Sequence, residues 1–336
     1  MKELVKPDDS RDLLRAAGAL LFGVGVLVLS VRKDEPVGFV GNEGWGHGAL
    51  LILYLIAALI LYGGAIATFR DTGELRKWQA IASVFGLLFV PMALGELVDI
   101  LDGDPGASLN TAWIAAVTAG LAAYAGLHAG IRFQLLVGSI ALLVAHLALW
   151  DKILSDGIFE HLGALRALLL AYAALLLAGG VALWRRAEYG LVHASELFTG
   201  AGIAAVLGTL VLSLSGPLVG AVSEGFAAFG VPGSDAGTDP SVLWDAVGLL
   251  VALALIVGGA LIGTRGPVYV GAIGLLLFAL IVGYNLDADP GDRENGLVGW
   301  PLILLVLGGV ALVLSLVREA SLGDRPKQLV DRIRGS

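Results

Sequence analysis

The sequence predicts an all-α fold: a polytopic transmembrane helical bundle of about ten spans, arranged as five hairpins with both termini in the cytoplasm. Three observations carry that expectation. The 336 residues are 57% hydrophobic and 15% charged, against roughly 45–50% and about 25% in soluble domains. Apolar runs of about 18 residues or more, long enough to cross a hydrocarbon core of ~30 Å, recur along the chain. Basic residues also collect in every second connection, as expected when positive charge is retained in the cytoplasm.

Residues 1–13 read as a charged cytoplasmic leader, with Asp9 or Ser10 placed to cap a first helical turn. The apolar run 14–31 could pass for a signal peptide, but it is too long. It also runs into Arg32-Lys33-Asp34-Glu35-Pro36 without a small-residue cleavage pattern, so it is read as a retained span. Nine further spans are expected over about 48–69, 78–101, 110–129, 132–151, 162–184, 196–215, 242–263, 267–286 and 298–317, completing a transmembrane domain over 14–317. The remainder, 318–336, is a cytoplasmic tail in which Leu329, Val330 and Ile333 share one face among basic residues, as in a helix lying on the inner leaflet.

With the N-terminus inside, the inner segments hold 16 of the 21 basic residues and about 11 of the 29 acidic ones. Tryptophan gives a second criterion, because its amphipathic ring prefers the headgroup level. Trp45, Trp78, Trp113, Trp150, Trp184, Trp244 and Trp300 all fall at or near expected span ends.

The turn Leu101-Asp102-Gly103-Asp104-Pro105-Gly106 returns as Leu286-Asp287-Ala288-Asp289-Pro290-Gly291. The two follow spans three and nine, an even offset, so they face the same side of the membrane. Inverted five-span halves would relate elements of opposite orientation, and the match argues against that plan. The competing account is that Asp-Pro-Gly is good turn chemistry and arose twice. Two spans are expected to be interrupted: span three at Pro91, and span seven at Ser213-Leu214-Ser215-Gly216-Pro217. The apolar stretch 218–229 then reads as interfacial or re-entrant. Small residues four apart, Ala19 with Gly23 and Gly259 with Gly263, read as close helix packing.

Ionisable groups at membrane depth are costly and mark candidate sites. Glu96 lies about 8 Å inside the outer end of span three, with Asp99 at i+3 on the same face. Two such carboxylates could share a proton or bind a cation. His146 and Asp151 near the end of span five, Arg166 as counter-charge in span six, Asp245 opening span eight, and Tyr284, Asn285 and Asp287 closing span nine complete an expected outer acidic site. A plainer reading makes Asp102, Asp104, Asp151, Asp245 and Asp287 solvated caps, lets Arg166 snorkel and leaves His146 as a packing residue. His128 has no obvious partner in the sequence.

No enzymatic constellation is present: no H-E-x-x-H, no G-x-S-x-G and no Walker A loop. The absence of cysteine removes thiol chemistry and cysteine metal sites. No catalytic residue, cofactor or metal set is expected, and a net charge of −8 does not suit nucleic acid. Partners are the lipid bilayer and a small solute or cation. Oligomeric state is open.

The run LLFVPMALGELVDILDGDPGASLNTAW, a span, an acidic turn and an aromatic opening the next span, resembles uncharacterised bacterial polytopic membrane proteins of the domain-of-unknown-function type. The resemblance covers spans three to five and again nine and ten, and it implies no catalytic residues. The expectation is a plasma-membrane transporter or permease-like protein for a small solute or ion. The alternative is a non-transporting membrane scaffold or envelope sensor. A lipid-active enzyme using the outer acidic cluster ranks last.

Overall fold

The structure, a computed structural model, describes residues 7–31, 46–72, 77–131, 133–154, 158, 161–186, 190–211 and 242–287. The expected span 298–317, the tail 318–336, the segment 218–229 and residues 288–291 of the repeated turn lie outside these. Among the described residues the chain is all-helical.

The helices are α1 (Pro7–Val31), α2 (His47–Ala58), α3 (Gly64–Thr72), α4 (Lys77–Ile100), α5 (Ser108–His128), α6 (Gln134–Ile153), α7 (Leu162–Arg185), α8 (Gly190–Val206), α9 (Val242–Ile262) and α10 (Arg265–Asp287). A π-helical turn, Leu59–Gly63, joins α2 to α3, and a second, Leu207–Val211, extends α8. Among the described residues, seven helical segments are long and apolar enough to cross a membrane: Asp12–Ser30, His47–Thr68, Trp78–Ile100, Gln134–Ile153, Leu162–Arg185, Gly190–Leu210 and Leu243–Ile262. Helices also stand where spans four and nine were expected. α5 is not among the seven, and the apolar stretch found in α10 is the shorter Arg265–Leu280. Seven such helices make a membrane-embedded protein.

Several local expectations are corrected. α1 is described from Pro7, so Asp9 and Ser10 lie inside the helix. Helix α4 runs on through Pro91. Among the described residues, irregular helix appears in the two π turns, each containing or adjoining glycine, and the expected break at 213–217 lies outside them. α8 starts at Gly190, six residues before the expected edge of span seven at Glu196.

The chain forms two units, residues 1–159 with 191–197, and residues 160–190 with 198–336. In the first, α1, α2 and α4 share an apolar core of Ala19, Val26, Leu50, Tyr54, Ala57, Ala82, Phe89 and Ala93. Tyr54 stacks on Phe89 with centroids 6.1 Å apart. Small residues allow this approach. The Phe85 ring lies where a side chain on Gly23 would go, and a Cβ on Gly86 would stand 2.4 Å from the Tyr62 backbone nitrogen. A buried hydrogen bond from Gln134 Nε2 to Ser83 Oγ (2.8 Å) ties α6 to α4, and Tyr62 Oη donates to Leu121 O at 2.5 Å.

In the second unit Val206, Leu210, Leu249 and Phe278 form the core. A Cβ on Gly271 would meet Ala252 O at 2.6 Å, so α9 and α10 are close at that level. Gly259 packs on Val268, as expected of a small-residue position. Gly263 does not: it has φ +77° and open space around it, and it ends α9 in the left-handed conformation, with Thr264 N donating to Gly259 O at 2.8 Å.

Candidate functional site

Glu96 and Asp99 lie in the last two turns of α4, three residues apart and therefore on one face. The turn beyond them is built to hold that end still. Gly103 N donates to Val98 O (2.9 Å), Asp102 takes φ 57°, and Asp104 Oδ1 accepts from Gly106 N (2.8 Å). Asn110 Nδ2, from the first turn of α5, donates to Asp104 O at 2.8 Å. The Asp104 side chain thus shapes the turn, while α5 follows Ala107 with no side-chain cap.

His47 is the first residue of α2, which follows Gly46. The backbone there is fixed, since Gly46 O accepts from Ala49 N (2.9 Å) and Leu50 N (3.2 Å). α2 runs antiparallel to α4: Tyr54 meets Phe89, and the π turn at Tyr62 meets Gly86. That pairing brings the start of α2 beside the end of α4. His47 Nδ1 lies 2.8 Å from Glu96 Oε2 and 3.7 Å from Asp99 Oδ2. A carboxylate only accepts, so Nδ1 carries the proton of the shorter contact. Side-chain exposure rises across the group, 15% for Glu96, 32% for Asp99 and 55% for His47, so the cluster opens on one side. The three donor atoms lie within 4.8 Å of one another and could hold a cation.

The remaining expected residues are distributed differently. His146 sets its ring edge-to-face on Trp150, centroids 6.5 Å apart. Asp151 accepts from Ser108 Oγ (2.5 Å) and Ile158 N (3.0 Å), fastening the start of α5 and the segment after α6 to the end of α6. These contacts belong to the first unit. In the second, Arg166 Nε donates to Gly208 O (3.1 Å), a carbonyl of the π turn, and its guanidinium stands 4.6 Å from the Trp244 ring centroid. Arg166 is therefore held by its neighbours, where snorkelling was the plainer expectation. Asp245 is 2% exposed, so it is no solvated cap, and it is near enough to Arg166 to act on it electrostatically. Tyr284, Asn285 and Asp287 fall in the last turns of α10, with side chains outside the described residues. Each of these contacts is internal to one unit.

Three participants were not anticipated. His47 sits beyond an expected span edge, and nothing in its neighbourhood in the sequence points to a residue 49 positions away. His128 gains a partner by stacking on Tyr124, centroids 5.0 Å apart. Glu196, 7% exposed, accepts from Phe133 N (2.8 Å), Leu135 N (3.0 Å) and Leu136 N (3.4 Å), and so caps α6 from another helix. Its one sequence signal was a carboxylate just inside an apolar run.

Comparison with protein-family models, with curated proteins and with solved structures finds no match.

Proposed function

We propose that this chain is a permease-type protein of the cell membrane that handles a small solute or cation. In this reading ten helices cross the bilayer, both termini are cytoplasmic, and the His47–Glu96–Asp99 cluster sits at the outer mouth. The observation that carries the reading is the pairing of Glu96 with His47 at 2.8 Å, beside Asp99, at the end of a membrane-length helix. An ionisable group so placed needs a partner, and a partly open His–carboxylate cluster is a chemically suitable place for a charged or polar solute to dock.

The same helix carries buried Gln79 and Ser83 near its opposite end, about 20 Å away at ~1.5 Å per residue. Leu87 and Phe89, both buried, lie between. A permease would open this apolar stretch to connect the two polar ends. The bias of 16 of 21 basic residues toward one set of connections supports the orientation.

The test is flux into liposomes holding the purified full chain, read with entrapped indicators for H⁺, Na⁺, K⁺ and Zn²⁺. Flux of one of these that falls about tenfold or more in Glu96→Gln is expected. Equal flux in Glu96→Gln would retire the cluster as the transport site.

Buried Leu87 and Phe89, together with the use of Asp151, Arg166 and Glu196 as structural ties, favour a second reading, a non-transporting scaffold or envelope sensor. Its signature is an absence of flux for every ion in the panel.

A further inference from the structure

We infer that His47, Glu96 and Asp99 form a binding site for a divalent first-row transition-metal cation of the Zn²⁺ type. The inference shares its residues with the permease reading but does not need transport.

The donor set is one imidazole nitrogen and two carboxylates. Imidazole selects for Zn²⁺ and its neighbours over Mg²⁺ and Ca²⁺, which prefer oxygen alone. Three protein ligands from two helices leave a coordination position for water or an incoming group. Two ligands of a tetrahedral zinc, each at roughly 2.0–2.2 Å, stand about 3.3 Å apart. The separations from His47 Nδ1, 2.8 Å to Glu96 Oε2 and 3.7 Å to Asp99 Oδ2, fall on either side of that value. All three donors already lie within 4.8 Å of one another. Small movements of side-chain tips would close the set, with no helix displaced. The metal would take the Nδ1 lone pair in place of the bridging proton, and the one proton of the neutral imidazole would then sit on Nε2, which can bond water from a 55% exposed side chain.

The electrostatics point the same way. Glu96 and Asp99 repel each other at i,i+3 and lie toward the negative end of the α4 dipole, where the last turn holds no basic residue. Among the described residues no lysine or arginine pairs with either carboxylate. Without a cation this is an unfavourable place for two negative charges. His47 lies at the positive end of α2, which opposes a cation, but the field of the α4 C-terminus is of similar size and opposite sign. The two formal charges therefore decide.

The test is equilibrium dialysis and calorimetry with Zn²⁺ on the untagged full chain in detergent, with Mg²⁺ as competitor and circular dichroism as a check on folding. One Zn²⁺ per chain is expected, not displaced by excess Mg²⁺. His47→Gln, Glu96→Gln and Asp99→Asn should each weaken it by about tenfold or more, while His161→Gln, an exposed histidine elsewhere, should not. In the unaltered chain, Co²⁺ should give ligand-field bands of a four- or five-coordinate nitrogen–oxygen site. Absence of stoichiometric Zn²⁺ binding overturns the inference, as does binding untouched by all three variants or equal affinity for Mg²⁺. Zinc binding without flux keeps the site and removes the permease reading. Flux without zinc binding does the reverse.

Discussion

The imidazole Nδ1 of His47 stands 2.8 Å from the carboxylate Oε2 of Glu96, joining the first residue of α2 to the last turns of α4 across 49 positions of sequence. The contact is specific to the antiparallel register of those helices. A double-mutant cycle with His47→Gln and Glu96→Gln, read by denaturant unfolding in detergent, should give a coupling of about 0.5–1.5 kcal/mol. Additive effects would mean that the two side chains do not interact in the folded protein.

Phe133 holds φ 67°, an unfavourable conformation for a bulky residue, and precedes α6 with no side-chain cap of its own. Glu196 supplies the missing acceptor to three backbone N–H groups. Glu196→Gln should therefore destabilise the protein by about 1–3 kcal/mol and speed amide exchange at residues 133–136. Phe133→Gly should relieve the backbone and be close to neutral, despite the loss of side-chain surface.

Gly86 and Gly120 make opposite predictions for the same change. A Cβ at Gly86 meets Tyr62 N at 2.4 Å, whereas one at Gly120 meets nothing within 4 Å. Gly86→Ala should cost about 1–3 kcal/mol, because backbone has to move. Gly120→Ala, inside α5, should add roughly 0.5–1 kcal/mol through reduced unfolded-chain freedom. Thermal unfolding of both variants side by side measures the contrast.

Buried Asp245 attracts Arg166 within the second unit. Removing either charge takes that attraction from the other, so Arg166→Met and Asp245→Asn should each lower stability, by up to about 3 kcal/mol. The double variant should be milder than the sum. Arg166→Lys should not restore the wild type, since lysine lacks the planar group that lies over Trp244 while donating to Gly208 O.

The chain has no cysteine, so single cysteines report topology directly. In intact cells Asp104→Cys should react with an impermeant maleimide, while Ser10→Cys and Ser336→Cys should react only after permeabilisation. Labelling of Ser10→Cys and Ser336→Cys on opposite sides would leave an odd number of spans.

Much of the helical layout was legible because apolar runs and turn chemistry are local properties. A carboxylate such as Glu96 inside a greasy run announces itself, and Asp104-Pro105-Gly106 spells a tight turn. The partners of those residues were not legible. Nothing near His47 signals Glu96, nothing near Gly208 signals that a π turn will offer its carbonyl to Arg166, and the capping role of Glu196 depends on a strained Phe133 just ahead of another helix.

The amino-acid order by itself determined that this protein is helical and apolar enough for a membrane, because the length and hydrophobicity of each segment are properties it carries alone. Only the tertiary structure decided which charged groups meet. That depends on the register at which glycine-lined helices slide together, and a residue cannot encode the height at which its neighbour will stand.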